Sequence, residues 1–224
     1  VSKHFSEKFA MAVVAIASTL FLSIYYSYMS RGYALLNLFF IIALYSVFNL
    51  IKDEKNLKNW LVFCISSVLG FYVMPSFLYP FLTLNFFLVL LNRKAIGKQF
   101  IANASILLFV IILYSPILYY EGLDALANNP YVKPIGFLAT IVELPKFYLK
   151  TIDEITGIHW TIMLALLLFS SYKIISSKKT LIKRFAVIFI AAPILLLSIH
   201  GVIPFVRVFF YYNCILVLVL ILPF

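Results

Sequence analysis

The sequence predicts an all-α fold, a polytopic bundle of transmembrane helices, and three observations predict it. Of the 224 residues, 64% are hydrophobic and 12% charged, with a mean hydropathy of +1.06. A soluble domain is about half apolar and about a quarter charged, so a core of this size cannot hide the excess and lipid must cover much of it. Second, apolar runs long enough to span a bilayer recur along the whole chain. Third, the basic residues sit in short loops between those runs, which argues against a nucleic-acid partner despite a formal net charge of +10. Period-2 alternation is absent, which argues against a β-barrel, and lipid offers no partner to free amide groups, so the spans must be helical.

Taken in order, the spans are expected near 9–28, 33–51, 59–74, 77–91, 101–119, 159–175, 185–199 and 204–224, eight in a single membrane domain covering 1–224. The first two are joined by Tyr25–Leu36, where one arginine and a cluster of tyrosines stand in place of a simple turn. The third and fourth are short and meet at Met74-Pro75-Ser76. One long connection, 120–158, separates the fifth from the sixth. In its middle, Leu144, Phe147, Tyr148, Ile152 and Ile155 recur at helical spacing with Lys146, Lys150, Asp153 and Glu154 opposite. Pro145 suits a first helical turn. The pattern reads either as a helix lying flat on the membrane surface or as a plain amphipathic connector. Cys64 and Cys214 fall inside apolar runs and read as small core hydrophobes.

Charge placement orients the spans. The tail 1–8 and the loops near 52–58, 92–100 and 173–184 hold Lys3, Lys8, Lys52, Lys55, Lys58, Arg93, Lys94, Lys98, Lys173, Lys178, Lys179, Lys183 and Arg184. The opposite side holds only Arg31, Lys133, Lys146, Lys150 and Arg207. The positive-inside rule makes the first side cytoplasmic, and every loop then falls on its proper side with eight spans.

The outer side carries the residues with chemistry. Most tyrosines, including Tyr25, Tyr26, Tyr28, Tyr33, Tyr211 and Tyr212, lie in or near the outer half. An aromatic belt normally populates both interfaces, so the skew suggests either a thick outer belt or an outward cavity suited to sugars and lipid headgroups. Arg31, His159, His200 and Arg207 sit at outer span ends, where four cationic or titratable groups can hold a phosphate or pyrophosphate. Arginine suits that task because its planar fork bonds phosphate oxygens bidentately. Interfacial anchoring is the competing reading for each, most strongly for His159 beside Trp160. The outer acids Glu121, Asp124, Glu143, Asp153 and Glu154 read mainly as solvated loop residues, with a general base or a metal ligand as the sharper reading of Glu121 and Asp124. No acid lies inside a span, which weakens an ion-coupled transporter. No nucleotide-binding, zinc or nucleophile-elbow motif is present.

Tyr26-Ser27 followed by Ser30-Arg31-Gly32-Tyr33-Ala34-Leu35 resembles a recurring element of polytopic GT-C glycosyltransferases, the family 39-like branch that includes protein mannosyltransferases and lipid A aminoarabinose transferases. The continuation is similar: a short basic loop, Trp60, then Leu69-Gly70-Phe71-Tyr72. Pro204-Phe205-Val206-Arg207 resembles the Pro-x-x-Arg-x-aromatic element that opens a later span. The likeness covers roughly residues 1–120 and 185–224, with short motifs whose order carries the weight.

The resemblance implies a membrane glycosyltransferase that takes a sugar from a polyprenyl-phosphate-linked donor to a lipid, protein or glycan acceptor on the extracytoplasmic face. It implies a substrate site bordered by Arg31 and Tyr33, to which Arg207, His200 and Tyr28 are added from their outer positions. The family's acidic motif has no counterpart before Arg31. The chain is therefore expected to be a piece of a longer enzyme, inactive alone, with its catalytic acid upstream. No cofactor is expected and a divalent metal is left open. The expected location is a bacterial inner membrane, with an endoplasmic reticulum membrane not excluded. A transporter or flippase of lipid-linked glycans is the alternative, with Asn37, Asn85, Asn103 and Ser105 as its candidate polar path. A non-catalytic membrane scaffold is the third reading.

Overall fold

The computed structural model describes residues 7–28, 32–122, 134–176 and 180–221, and for residues 7, 8, 27 and 28 the backbone alone. Among the described residues the regular elements are all helices, with no strand. They form two compact units, one drawn from Val1–Ala34 with Pro134–Phe224 and the other from Leu35–Lys133.

Helix α3 (Tyr33–Lys52) has its first two residues in the first unit and the rest in the second, and it leads to α4 (Leu57–Val73), which Asn56 caps by accepting from the Lys58 and Asn59 amides at 3.0 and 3.4 Å. A single 3-10 turn, Pro75–Phe77, opens α5 (Leu78–Leu91), and a second, Arg93–Ala95, opens α6 (Ile96–Glu121). The α4–α5 reversal depends on Gly70, because a Cβ there would stand 2.6 Å from the fully buried Phe77 ring. The basic loops 52–58 and 92–98 meet at one end of this unit. The Asn92 side-chain amide donates to the Leu50 carbonyl at 3.2 Å and to Glu54 Oε2 at 3.4 Å. Trp60 Nε1 and Lys98 Nζ both donate to the Glu54 carbonyl, at 2.9 and 3.1 Å.

In the first unit, the expected span 9–28 is broken. Helix α1 runs Glu7–Thr19 and α2 (Phe21–Tyr28) begins after Leu20. Ser18 and Thr19 turn their hydroxyls back onto the Ala15 and Ile16 carbonyls, each at 2.9 Å, a local bond that competes with the helical ladder. Helix α7 runs Phe137–Thr156, so Pro145 lies in its interior rather than in its first turn as expected. Gly136 (φ +85°) precedes α7 and Gly157 (φ +69°) closes it in the left-handed conformation. After Gly157 the chain bends by 97° into α8 (Trp160–Ser176). Then follow α9 (Thr180–His200), a 3-10 turn at Val206–Phe209, and α10 (Tyr212–Ile221). Helix α1 packs on α10, α10 on α8, and α7 on α9 and α2. Lys173 in the last turn of α8 and Lys183 and Arg184 near the start of α9 flank the same connection.

Among the described residues, three helices are long and apolar enough to cross a membrane: Tyr33–Lys52, Arg93–Glu121 and Thr180–His200, with mean hydropathies of 2.2, 2.2 and 2.1. The count becomes four if the bent pair α7–α8 is one span. A 20-residue helix is about 30 Å long, which matches a hydrocarbon core. Exposed Phe100, Ile101 and Leu107 on α6 and Ile199 on α9 have lipid as their natural solvent. The chain therefore reads as an integral membrane protein. The helical stretches at the third and fourth expected spans, Leu57–Val73 and Pro75–Leu91, slightly exceed those spans but stop at 17 residues each, short of the three that can cross. The last begins with an extended stretch and a 3-10 turn, leaving ten residues in α10.

Candidate functional site

Helix α7 owes its place to its two faces. Thr140, Leu144, Phe147, Thr151 and Ile155 are buried along one stripe. The threonines tolerate burial because their hydroxyls donate to the Gly136 and Phe147 carbonyls, at 2.7 Å each. At the N-terminal end, the Ile135 and Gly136 amides donate to the Gly201 carbonyl at 2.9 and 3.2 Å, which ties α7 to the end of α9. At the C-terminal end, a Cβ on Gly157 would lie 3.0 Å from the Phe21 Cβ, so α2 approaches closely there.

Beside the buried stripe runs a charged one: Glu143, Lys146, Lys150 and Glu154, spaced three, four and four residues apart and therefore on one edge of the helix. This edge, with Phe147, lines a cavity of about 640 Å³ whose other walls come from α2 (Phe21, Leu22, Tyr25, Tyr26) and from Ile203–Arg207. The cavity lies wholly within the first unit. Lys150 Nζ pairs with Glu154 Oε1 at 3.5 Å. Arg207, half-buried in its 3-10 turn, holds its guanidinium carbon 4.4 Å from the Phe205 ring centroid. This cation–π contact fixes the charge at the rim without using the outer N–H donors. The arrangement offers cations and aromatic rings to an anionic, polyhydroxylated ligand.

The residues expected in a substrate site are placed unequally. Arg207 lines the cavity. Tyr33 does not: it is buried, its ring centroid 4.7 Å from that of Tyr26, so it stands behind a lining residue. Tyr26 in turn meets Phe210 edge-on at 5.2 Å. His200, the exposed last residue of α9, is not among the lining residues. Arg31 and the Tyr28 side chain lie outside the described residues, as do Lys133 and Asp124. His159 sits at the start of α8, where its Nδ1 accepts from the Thr161 amide at 3.4 Å and its carbonyl from the Ile162 amide at 3.0 Å. That is a capping role.

The tyrosine excess does not translate into one lined cavity. Tyr25 and Tyr26 line the site. Tyr212 is buried and donates to the Phe189 carbonyl at 2.7 Å, and with Tyr148 it borders a separate apolar cavity of about 140 Å³. Tyr119 and Tyr120 are exposed at the end of α6.

Glu143, Lys146 and Lys150 are the functional candidates that sequence reasoning passed over as a solvated face. The signal was present in their spacing. It was lost because the helix was expected to start at Leu144, which left Glu143 in a loop.

The polar residues considered for a transport path behave differently. Asn85 Oδ1 accepts from Gln99 Nε2 at 2.6 Å and from Asn103 Nδ2 at 2.8 Å, while Asn85 Nδ2 donates to the Phe81 carbonyl at 2.9 Å. Ser105 bonds back to the Ile101 carbonyl at 2.9 Å. Among the described residues, no three His, Cys, Asp or Glu side chains are grouped to hold a metal ion. Comparison of the chain with family models, curated proteins and solved structures gave no match.

Proposed function

We propose that this chain is the membrane part of a glycosyltransferase that takes a sugar from a polyprenyl-phosphate-linked donor to a hydroxyl-bearing acceptor on the extracytoplasmic face. In this reading all eight apolar segments are membrane-embedded, in a bacterial inner membrane, with the loops holding Lys55, Lys94 and Lys179 on the cytoplasmic side. The single observation that supports it best is the cavity, where the rings of Tyr25 and Tyr26 face Lys146, Lys150 and Arg207. Rings and hydroxyls suit a sugar, and the cations suit the phosphate on which charge develops as the sugar departs. Arg207 would hold that phosphate and Tyr33 would brace Tyr26. A flippase of lipid-linked glycans draws less support, since Asn85 and Asn103 are bonded into a side-chain node.

The test uses the full-length protein in membranes supplied with a polyprenyl-phosphate-linked hexose and measures sugar transfer. Arg207→Ala should slow turnover by roughly 2–4 kcal/mol of transition-state stabilisation, the scale of one preorganised donor. Arg207→Lys should recover part of it, because an ammonium lacks the bidentate fork. Lys183→Ala, at the α8–α9 connection, should be silent. Full transfer by Arg207→Ala at normal protein level would return Arg207 to an interfacial anchor.

A further inference from the structure

We propose that Glu143 sets the charge selectivity of the cavity, so that it accepts a singly charged phosphodiester lipid headgroup and discriminates against a doubly charged phosphomonoester. The proposal rests on reading the cavity as a phosphate site and adds to it the residue that chooses among phosphates.

The argument is a count of charges along one helix edge. The stripe from Glu143 to Glu154 is about 16 Å long at 1.5 Å per residue, with an acid at each end and the two lysines between. Lys150 and Glu154 neutralise each other at 3.5 Å. That leaves Lys146 and Arg207 against Glu143, two cations less one carboxylate, a net +1 in the lining. Among the described residues Lys146 makes no ion pair, so its ammonium is available to a ligand. Glu143 lies less than one turn away on the same edge, where it is a neighbour of any anion that Lys146 binds.

A phosphodiester carries one negative charge and matches this lining. A phosphomonoester carries about −1.5 to −2 at pH 7, because its second pKa is about 6. Its second charge would meet the Glu143 carboxylate, and like charges brought together oppose binding. A diester also brings a second substituent, whose hydroxyls can donate to Glu143, since an ionised carboxylate accepts only. Glu143 therefore acts twice, against the extra charge and toward the hydroxyl. The walls supplied by Phe21, Leu22, Ile203 and Pro204, in a chain with membrane-crossing helices, point to a lipid as the source of the headgroup.

The experiment measures binding of two lipids to the full chain in nanodiscs: dioleoyl phosphatidylglycerol, a hydroxylated diester, and dioleoyl phosphatidic acid, a monoester. The wild type should prefer the diester by about threefold or more, the scale of one partly exposed charge contact. Glu143→Gln should collapse that preference by tightening the monoester. Glu143→Asp should keep it, which controls for misfolding. Glu121→Gln, at the end of α6, should leave the ratio unchanged. Equal wild-type affinities, or a ratio indifferent to Glu143→Gln, would overturn the proposal. Displacement of phosphatidylglycerol by millimolar inorganic phosphate would overturn the lipid assignment in favour of a soluble ligand. Lys146→Gln and Arg207→Gln should each weaken both lipids. If neither weakens either, the phosphate-site reading itself fails, an outcome distinct from loss of selectivity alone.

Discussion

The amide node of the Leu35–Lys133 unit and the charged edge of α7 in the other unit use polar side chains in opposite ways. Asn85, Gln99 and Asn103 spend their N–H donors on one another and on the chain, and Gln99 is only 4% exposed. Glu143, Lys146 and Arg207 face an open cavity, and Arg207 lies against the Phe205 ring. In lipid a polar group must find a partner inside the protein, and the node's N–H donors do so by tying Gln99 and Asn103 of α6 to Asn85 of α5, while Gln99 Oε1 and Asn103 Oδ1 are buried without a partner. A charged group that keeps its donors beside a cavity adds little to the fold and is available to a ligand. The difference separates structural polarity from polarity available for function, a distinction that residue type alone does not make.

The largest effect on stability should come from the node. Asn85→Leu removes the acceptor of Asn103 Nδ2 and the shorter of two acceptors of Gln99 Nε2, which keeps the backbone carbonyl of residue 85 at 3.1 Å, and should destabilise the protein by about 1–3 kcal/mol, the cost of leaving a buried donor unpaired. Thermal unfolding in nanodiscs measures it. The comparison sharpens if the triple replacement Asn85→Leu, Gln99→Met and Asn103→Leu recovers most of the loss, because replacing all partners by apolar groups removes the unpaired donors. A single substitution costing under about 0.5 kcal/mol, the usual range for surface changes, would break the comparison.

The next effect is smaller and lies at the end of α7. Gly157 holds φ at +69° and leaves 3.0 Å between a would-be Cβ and Phe21. Gly157→Ala should cost about 1 kcal/mol or somewhat more in stability, from the left-handed backbone alone. The same substitution should weaken lipid binding in the cavity, since Phe21 is one of its walls. Unchanged binding alongside lost stability would separate the α7–α8 bend from the site.

How much of this was legible in the sequence follows from what sequence patterns encode. The helical class and the apolar character were legible because composition and period report burial directly. α3 and α9 match their expected spans closely. The break at Leu20 was not, because it arises from the way the Ser18 and Thr19 hydroxyls turn, and a run of apolar residues hides that choice. Arg207 was legible as a charge near a span end, and the cavity now gives it neighbours. Tyr33 was legible as special but not as buried, since only the contact with Tyr26 decides which ring faces the cavity. The α7 stripe was hidden by Pro145, which suits a first helical turn although the helix runs through it.

The smallest effect belongs to Glu54, at the basic end of the Leu35–Lys133 unit, and it tests the comparison at a surface position. A backbone hydrogen bond, then the Asn92 side-chain amide, with smaller help from Lys94 and Lys55, holds its carboxyl below the ordinary value of 4.5. A carboxyl whose folded value is depressed binds protons more readily when unfolded, so its contribution is complete above the unfolded value and is lost as pH falls through the folded one. Stability should therefore decline below about pH 4.5, and Glu54→Gln should flatten that acid limb without changing stability at pH 7 by more than a surface substitution does. Denaturant unfolding of both forms between pH 3 and pH 7, buffers on the order of one unit apart, measures the difference. Parallel acid limbs would mean that Asn92 secures the turn through the Leu50 and Ile51 carbonyls, and that Glu54 belongs with the open charges of α7 rather than with the bonded groups of its own unit.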